Sequence, residues 1–408
     1  MRLIREFTQL FNSPTQRRTH LWLPLLMGLS GGFILALALV IMQKLSALIW
    51  AQHYQQNPFF IFGIFLLGGL LIGGLQQRLE RLKQQDQLTA DNDSRQLWLI
   101  ILIGIVAVGL GASIGPEAVI MAAGAQLALI IRRYLHASQR EAAYIERLGQ
   151  EATLGEFYYV PPPGAEPVGL VTAEADNVKV HGFARVLTLA CVLLAFFFSL
   201  KLLNPDGGHH RIHLKADALS LELWAPLIAA VLAGVCTLLF VRLGHKLTRS
   251  SHQALQSPLY RGLLSGILMG LVFAIHPFLR GAGYYELEFL QTHQIGVLAL
   301  LLVALLKLLL TLVSVVGGWL GGTIFPLFFV GGALGSAVVQ LVPGHADAAM
   351  LAAMTSAIYI SLRKPWLLLL LMALMVANLQ IPALLIGLGV GLLLERLWMR
   401  DMPQHGHG

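Results

Sequence analysis

Leu110–Gly111–Ala112–Ser113–Ile114–Gly115–Pro116–Glu117–Ala118–Val119 places one glutamate between two apolar stretches, each long enough to lie inside a bilayer. An ionisable side chain at membrane depth costs about 2.5–3.5 kcal/mol on insertion scales, so such a residue faces a protein cavity or an ion path rather than lipid. The neighbours add a local mechanism. Gly115 permits a break in the backbone, and Pro116 suits the first position of a helix. Glu117 therefore stands where the unpaired N–H groups of a new helix point, a place that attracts anions.

The surrounding chain reads as a membrane protein. Of its 408 residues 56% are apolar and 12% charged, with a mean hydropathy of +0.71; a soluble domain carries about 25% charged residues. Apolar runs at 21–50, 59–75, 97–110, 184–203, 219–241, 263–278, 297–316 and 367–394 each offer a span or much of one. The first run follows a polar, basic start and is too long for a signal-peptide core, so it is expected to remain as a span. The net charge of +7 gathers at segment ends, as at Arg78, Arg81, Lys83, Lys246 and Arg249. Those positions are topology signals rather than a nucleic-acid surface. Arg2, Arg5, Arg17 and Arg18 at one end, and Arg396 and Arg400 at the other, place both termini in the cytoplasm.

Several apolar segments are interrupted by glycine, which straight spans do not require. The break at Gly111–Glu117 has a counterpart in Gly317–Gly318–Trp319–Leu320–Gly321–Gly322–Thr323–Ile324–Phe325–Pro326, followed by the apolar 327–335. Non-helical backbone at membrane depth is tolerated only where protein or a water-filled cavity satisfies it. Two such breaks in opposite halves of the chain predict an inverted repeat that aims two half-helices at one midplane site.

These residues resemble the CLC family of chloride channels and proton-coupled chloride exchangers. The family motif Gly-Arg-Glu-Gly-Pro falls on Gly115–Pro116–Glu117–Ala118–Val119, which keeps the glycine and the glutamate. The motif Gly-Gly-Ile-Phe-Ala-Pro falls on Gly321–Gly322–Thr323–Ile324–Phe325–Pro326, with the Phe one place late. Gly331–Gly332–Ala333–Leu334–Gly335, Ser361–Leu362–Arg363–Lys364–Pro365, Asn378 and Ile386–Gly387–Leu388–Gly389 resemble its later elements. The resemblance is good over 97–125 and 219–392 and poor between them.

It implies an all-α, multi-pass integral membrane protein with a CLC-like inverted repeat of broken helices. It makes Glu117 the gating glutamate, whose carboxylate competes with the anion. Gly115, Glu117, Ala118, Thr323, Ile324 and Phe325 become the anion-binding residues, chiefly through backbone N–H groups. Amide dipoles hold an anion without trapping it as a full cation would. Lys307 is implied as a cation close to the pathway; its plainer reading is a snorkelling lysine.

The departures shape the functional expectation. The family's Gly-Ser-Gly-Ile-Pro motif has no counterpart between Leu75 and Leu97, where the sequence reads as a polar loop over 76–96. The tyrosine that completes the central site aligns with Leu379. Between Arg132 and Lys215 no carboxylate is assignable to proton transfer from inside. The expectation is passive, channel-type flow of chloride or a related small anion. The alternatives are a proton-coupled chloride antiporter and a non-conducting scaffold that kept the fold.

The expected organisation is a cytoplasmic segment 1–20, a first membrane half 21–131 and a polar insertion 132–182. An apolar segment and polar loop (183–218), a second membrane half (219–396) and a tail (397–408) follow. The expected setting is a prokaryotic inner or plasma membrane and the expected assembly a homodimer, with the anion and the lipid bilayer as partners. No cofactor, metal or catalytic residue is expected. Cys191 and Cys236 read as packing residues. The His209, His210 and His213 cluster and Pro161–Pro163 read as loops, and His405 and His407 as a tail.

Overall fold

A long apolar run away from water satisfies its own backbone most simply as a helix. The computed structural model describes residues 22–50, 57–84, 90–131, 134, 182–204, 212, 214, 223–283, 286–287, 289–290, 293 and 295–398, and among these the chain is helical almost throughout. In chain order the helices are α1 (Leu23–Ile49), α2 (Pro58–Gln84) and α3 (Ala90–Gly109), then α4 (Glu117–Ile131). After them come α5 (Gly182–Leu203), α6 (Trp224–Ala254), α7 (Pro258–Ile275), α8 (Val297–Val316), α9 (Ile324–Val339), α10 (Ala346–Leu362), α11 (Pro365–Met375) and α12 (Ile381–Trp398). Among the described residues six helices are long and apolar enough to cross a membrane by length and composition: α1, α2, α6, α7, α8 and α12. The expected segment 1–20, the three histidines at 209–213, Pro161–Pro163, nearly all of the insertion 132–182 and the tail from 399 lie outside the described residues.

The chain divides into two units. In the smaller, built from 1–40, 86–98 and 121–205, glycines let α1 press against α5. A Cβ on Gly28 would lie 2.7 Å from Cys191 Cβ, which makes the buried Cys191 a packing residue. Gln126 donates to the Asp93 carbonyl at 3.3 Å.

The larger unit, 41–85, 99–120 and 206–408, holds the main core. Its centre is α10, buried from Ala348 to Ile360 and packed by α6, α9 and α12. The alanines of α10 leave a slim cylinder that α9 approaches closely. Cβ atoms on Gly331 and Gly335 would lie 2.6 and 2.5 Å from the Cα atoms of Met354 and Met350, respectively. Helices α2 and α7 meet backbone to backbone through Gly69, Gly73, Gly262 and Gly266, the small-residue contact that suits packing without water.

Three expectations are corrected here. The polar loop expected over 76–96 is helical at both ends, because α2 runs to Gln84 and α3 starts at Ala90. The run 367–394 is two helices, α11 and α12. Between them Val376 pairs with Ile212, whose N–H donates to the Met375 carbonyl at 2.7 Å and whose carbonyl accepts from Ala377 N–H at 3.0 Å. Helix α10 is absent from the expected spans, since its small residues keep it from reading as a long apolar run.

Candidate gating site

All of the site's residues described below belong to the larger unit. The two glycine-rich breaks fold into the same backbone, shifted by 207 residues, the separation of Glu117 and Ile324. Gly111 and Gly318 both take positive φ, 75° and 81°, a region open to glycine at no steric cost. Gly111 N–H donates to Val108 O and Gly318 N–H to Val315 O; Ala112 N–H donates to Ala107 O and Trp319 N–H to Ser314 O. After each break a helix starts, and Ile120 N–H to Pro116 O has its counterpart in Leu327 N–H to Thr323 O. The loops meet at Gly115 and Gly322, which exchange N–H···O bonds of 2.8 and 2.7 Å as an antiparallel bridge. Reciprocal bonds of this kind impose a local two-fold relation, which the expected inverted repeat requires.

The relation is broken by one side chain. Glu117 does not cap only the helix it begins: its Oε1 accepts from the N–H groups of Ile324 at 2.8 Å and Phe325 at 3.4 Å, at the start of α9. Pro326 has no N–H, and Leu327 N–H is already used within the helix. Glu117 thus meets the donors that this helix start directs outward. Its Oε2 is buried and accepts no hydrogen bond among the described residues. Thr323 holds the N-cap position of α9 without capping it; its hydroxyl lies 3.2 Å from that of Ser361.

The glycines make room for the carboxylate. A Cβ on Gly115 or Gly322 would fall on the Glu117 carboxylate, closer than any van der Waals contact. This changes the expected part of Gly115: its N–H is used by Gly322, and what it supplies is space. Pro116, Glu117 and Ala118 are half-buried as residues, as are Thr323, Ile324 and Phe325.

Lys307 does not snorkel. It is 0% exposed, and its Nζ donates to Leu279 O at 3.0 Å and Gly281 O at 2.6 Å. Sequence reasoning also missed Gln76, which donates to Gly318 O at 2.6 Å, and gave Ser361 no role at the site. Leu379 is a partly buried core residue. Among the described residues no group of three His, Cys, Asp or Glu side chains is placed to hold a metal.

A multi-pass helical protein with two broken loops crossing at an amide-lined carboxylate is the class that this geometry defines. The sequence matches the family described as "Voltage gated chloride channel" over residues 69–396, and the chain belongs to that family. It is 25% identical over 378 residues to a protein of Escherichia coli O1:K1 / APEC named "Putative ion-transport protein YfeO", covering 88% of each chain. The protein of that name from Escherichia fergusonii is 26% identical over 378 residues, again with 88% of each chain covered. In fold the chain is similar to a slow cyanobacterial Cl−/H+ antiporter, with TM-score 0.66, 17% identity and 94% and 95% of the two chains covered. It is also similar to a CLC-type fluoride/proton antiporter, with TM-score 0.61, 19% identity and 95% and 98% covered.

Proposed function

We propose that this protein carries chloride or a related small anion across the membrane, and that the Glu117 carboxylate is its gate. The observation that carries the reading is the carboxylate on the Ile324 and Phe325 amides. A side-chain anion occupies donors that serve a permeant anion equally well, so the two compete for one place. Protonation removes the charge that competes, and flux is expected to rise as pH falls. Charge-assisted hydrogen bonds contribute about 1.5–3 kcal/mol each, enough to close a pathway and weak enough to be exchanged.

Channel-type flow is the preferred mode, since no carboxylate between Arg132 and Lys215 is assigned to proton transfer. Proton-coupled exchange is the second reading, favoured by the likeness to two proton-coupled antiporters. Nothing favours the non-conducting scaffold. We place the protein in a bacterial inner membrane as a homodimer with cytoplasmic termini, and we assign Ala118, Thr323, Ile324 and Phe325 to the anion site.

Chloride efflux from proteoliposomes, recorded together with a pH probe, tests the reading. Anion flux with no linked proton movement supports the channel, and stoichiometric proton movement supports the exchanger. No anion flux in correctly inserted protein rejects both.

A further inference from the structure

A segment outside both motifs holds the first loop in place. Residues 279–283, which follow a short 3-10 turn (Pro277–Leu279), lie against Gly111: Gly281 N–H donates to Gly111 O at 2.7 Å. The Arg280 guanidinium lies 3.7 Å from the Trp50 ring centroid, and Trp50 stacks on Phe65. A Cβ on Gly111 would be 2.9 Å from Trp50 Nε1 and 3.2 Å from Arg280 Cγ, so strap, ring and loop are in direct contact.

The strap is fixed in turn from α8. Lys307 donates to both Leu279 O and Gly281 O, the second belonging to the residue whose N–H holds Gly111. Its ammonium lies 5.4 Å from the Phe329 ring centroid on α9. Gly283, at φ 91°, packs so that a Cβ would be 2.7 Å from Phe329 Cβ and 3.1 Å from Lys307 Cε. One turn along α8, Thr311 bonds back to Lys307 O and lies 3.1 Å from the Ser113 hydroxyl in the first loop.

The charged group that acts on Lys307 is Glu286, three residues beyond the strap, which also acts on Arg280 within it. Burial pushes the Glu286 carboxyl above the ordinary carboxylate range, with the charges of Lys307 and Arg280 opposing that shift. Burial lowers the Arg280 guanidinium to about 10, with Glu286 opposing, so it stays cationic at neutral pH. A buried cation away from water persists only when its donors are engaged and its charge is compensated. Both hydrogen bonds of Lys307 are made to the strap, and the carboxyl that acts on its charge, Glu286, lies three residues beyond it.

We propose that Lys307 is a positioning residue for the gate, holding the 279–283 strap against Gly111 and so fixing the loop that carries Glu117. The proposal rests on Glu117 being the gate. It differs from a role as a bare charge that draws anions, because it acts through backbone placement.

Two variants separate these roles. Lys307→Met removes the ammonium. Gly283→Ala displaces the strap by strain and contact with Phe329 while leaving the charge in place. Chloride flux is measured in proteoliposomes per folded protein, from about pH 5 to pH 8, in the wild type, each variant, and each variant combined with Glu117→Gln. The proposal expects both single variants to reduce the pH 5 to pH 8 flux ratio by about threefold or more, the scale of one lost hydrogen bond. It expects neither to alter the profile of Glu117→Gln. If Lys307→Met lowers flux at every pH and Gly283→Ala leaves the profile unchanged, Lys307 acts only as a charge and the proposal is overturned. Should Lys307→Met fail to fold, Gly283→Ala with an unchanged profile overturns it alone. A wild type whose flux ignores pH, matched by Glu117→Gln, removes the gate reading itself and this inference with it.

Discussion

The loops at 111–117 and 318–324 share a backbone and divide the work. The second presents the amides of Ile324 and Phe325; the first brings the carboxylate that occupies them. Their supports differ in the same sense. Gly318 O is held by the neutral amide of Gln76, and Trp319 Nε1 donates to Ser265 Oγ at 2.8 Å. Gly111 O is held by a strap that a buried lysine secures. A loop held by neutral groups thus faces one that carries a carboxylate and is bonded to a strap on which Lys307 donates. The backbone is duplicated, and the Glu117 side chain is the part without a counterpart: on the proposed reading it supplies the chemistry.

The largest effect that would break this comparison is expected at the bridge. Gly322→Ala puts a methyl group on the Glu117 carboxylate and should destabilise the protein by about 1–3 kcal/mol, the usual cost of overpacking. Thermal unfolding in detergent checks this. In a Glu117→Ala background the cost should shrink; an equal cost in both backgrounds would mean that the backbone, not the carboxylate, requires glycine.

Next in size is a difference between the loops themselves. Gly111→Ala and Gly318→Ala both impose a left-handed conformation on a side chain, at about 1–2 kcal/mol. Gly111→Ala also meets Trp50 and Arg280, whereas the nearest atom at Gly318 is Gln76 Cγ at 3.3 Å. The loss of stability on unfolding should therefore be larger for Gly111→Ala than for Gly318→Ala, and the reverse order would contradict the described packing.

The smallest effect is expected from Gln76→Leu, which leaves Gly318 O without this donor and should cost about 1 kcal/mol. Because the second loop carries no ionisable side chain, the pH profile of flux should keep its shape. A flattened profile would show that the receptor loop moves too.

Much of this arrangement is legible in local chemistry. Glycine and proline between apolar runs mark both breaks, a lone glutamate singles out the first, and the run 297–316 coincides with α8. The destination of the Glu117 side chain is not local, since its partners lie 207 and 208 residues away. Lys307 looks like a snorkelling residue because sequence does not reveal which face of α8 is covered. The join at 376–380 escapes notice because only Asn378 and Gln380 are polar there. Helix α10 hides because interior helices surrounded by others favour small residues such as alanine and serine over bulk.

The most direct test of the central claim is chloride flux against pH for the wild type and Glu117→Gln, normalised to folded protein in the vesicles. The account predicts wild-type flux that rises as pH falls, and higher, pH-independent flux in Glu117→Gln. A Glu117→Gln protein that keeps the wild-type pH profile at equal folded amount would contradict it.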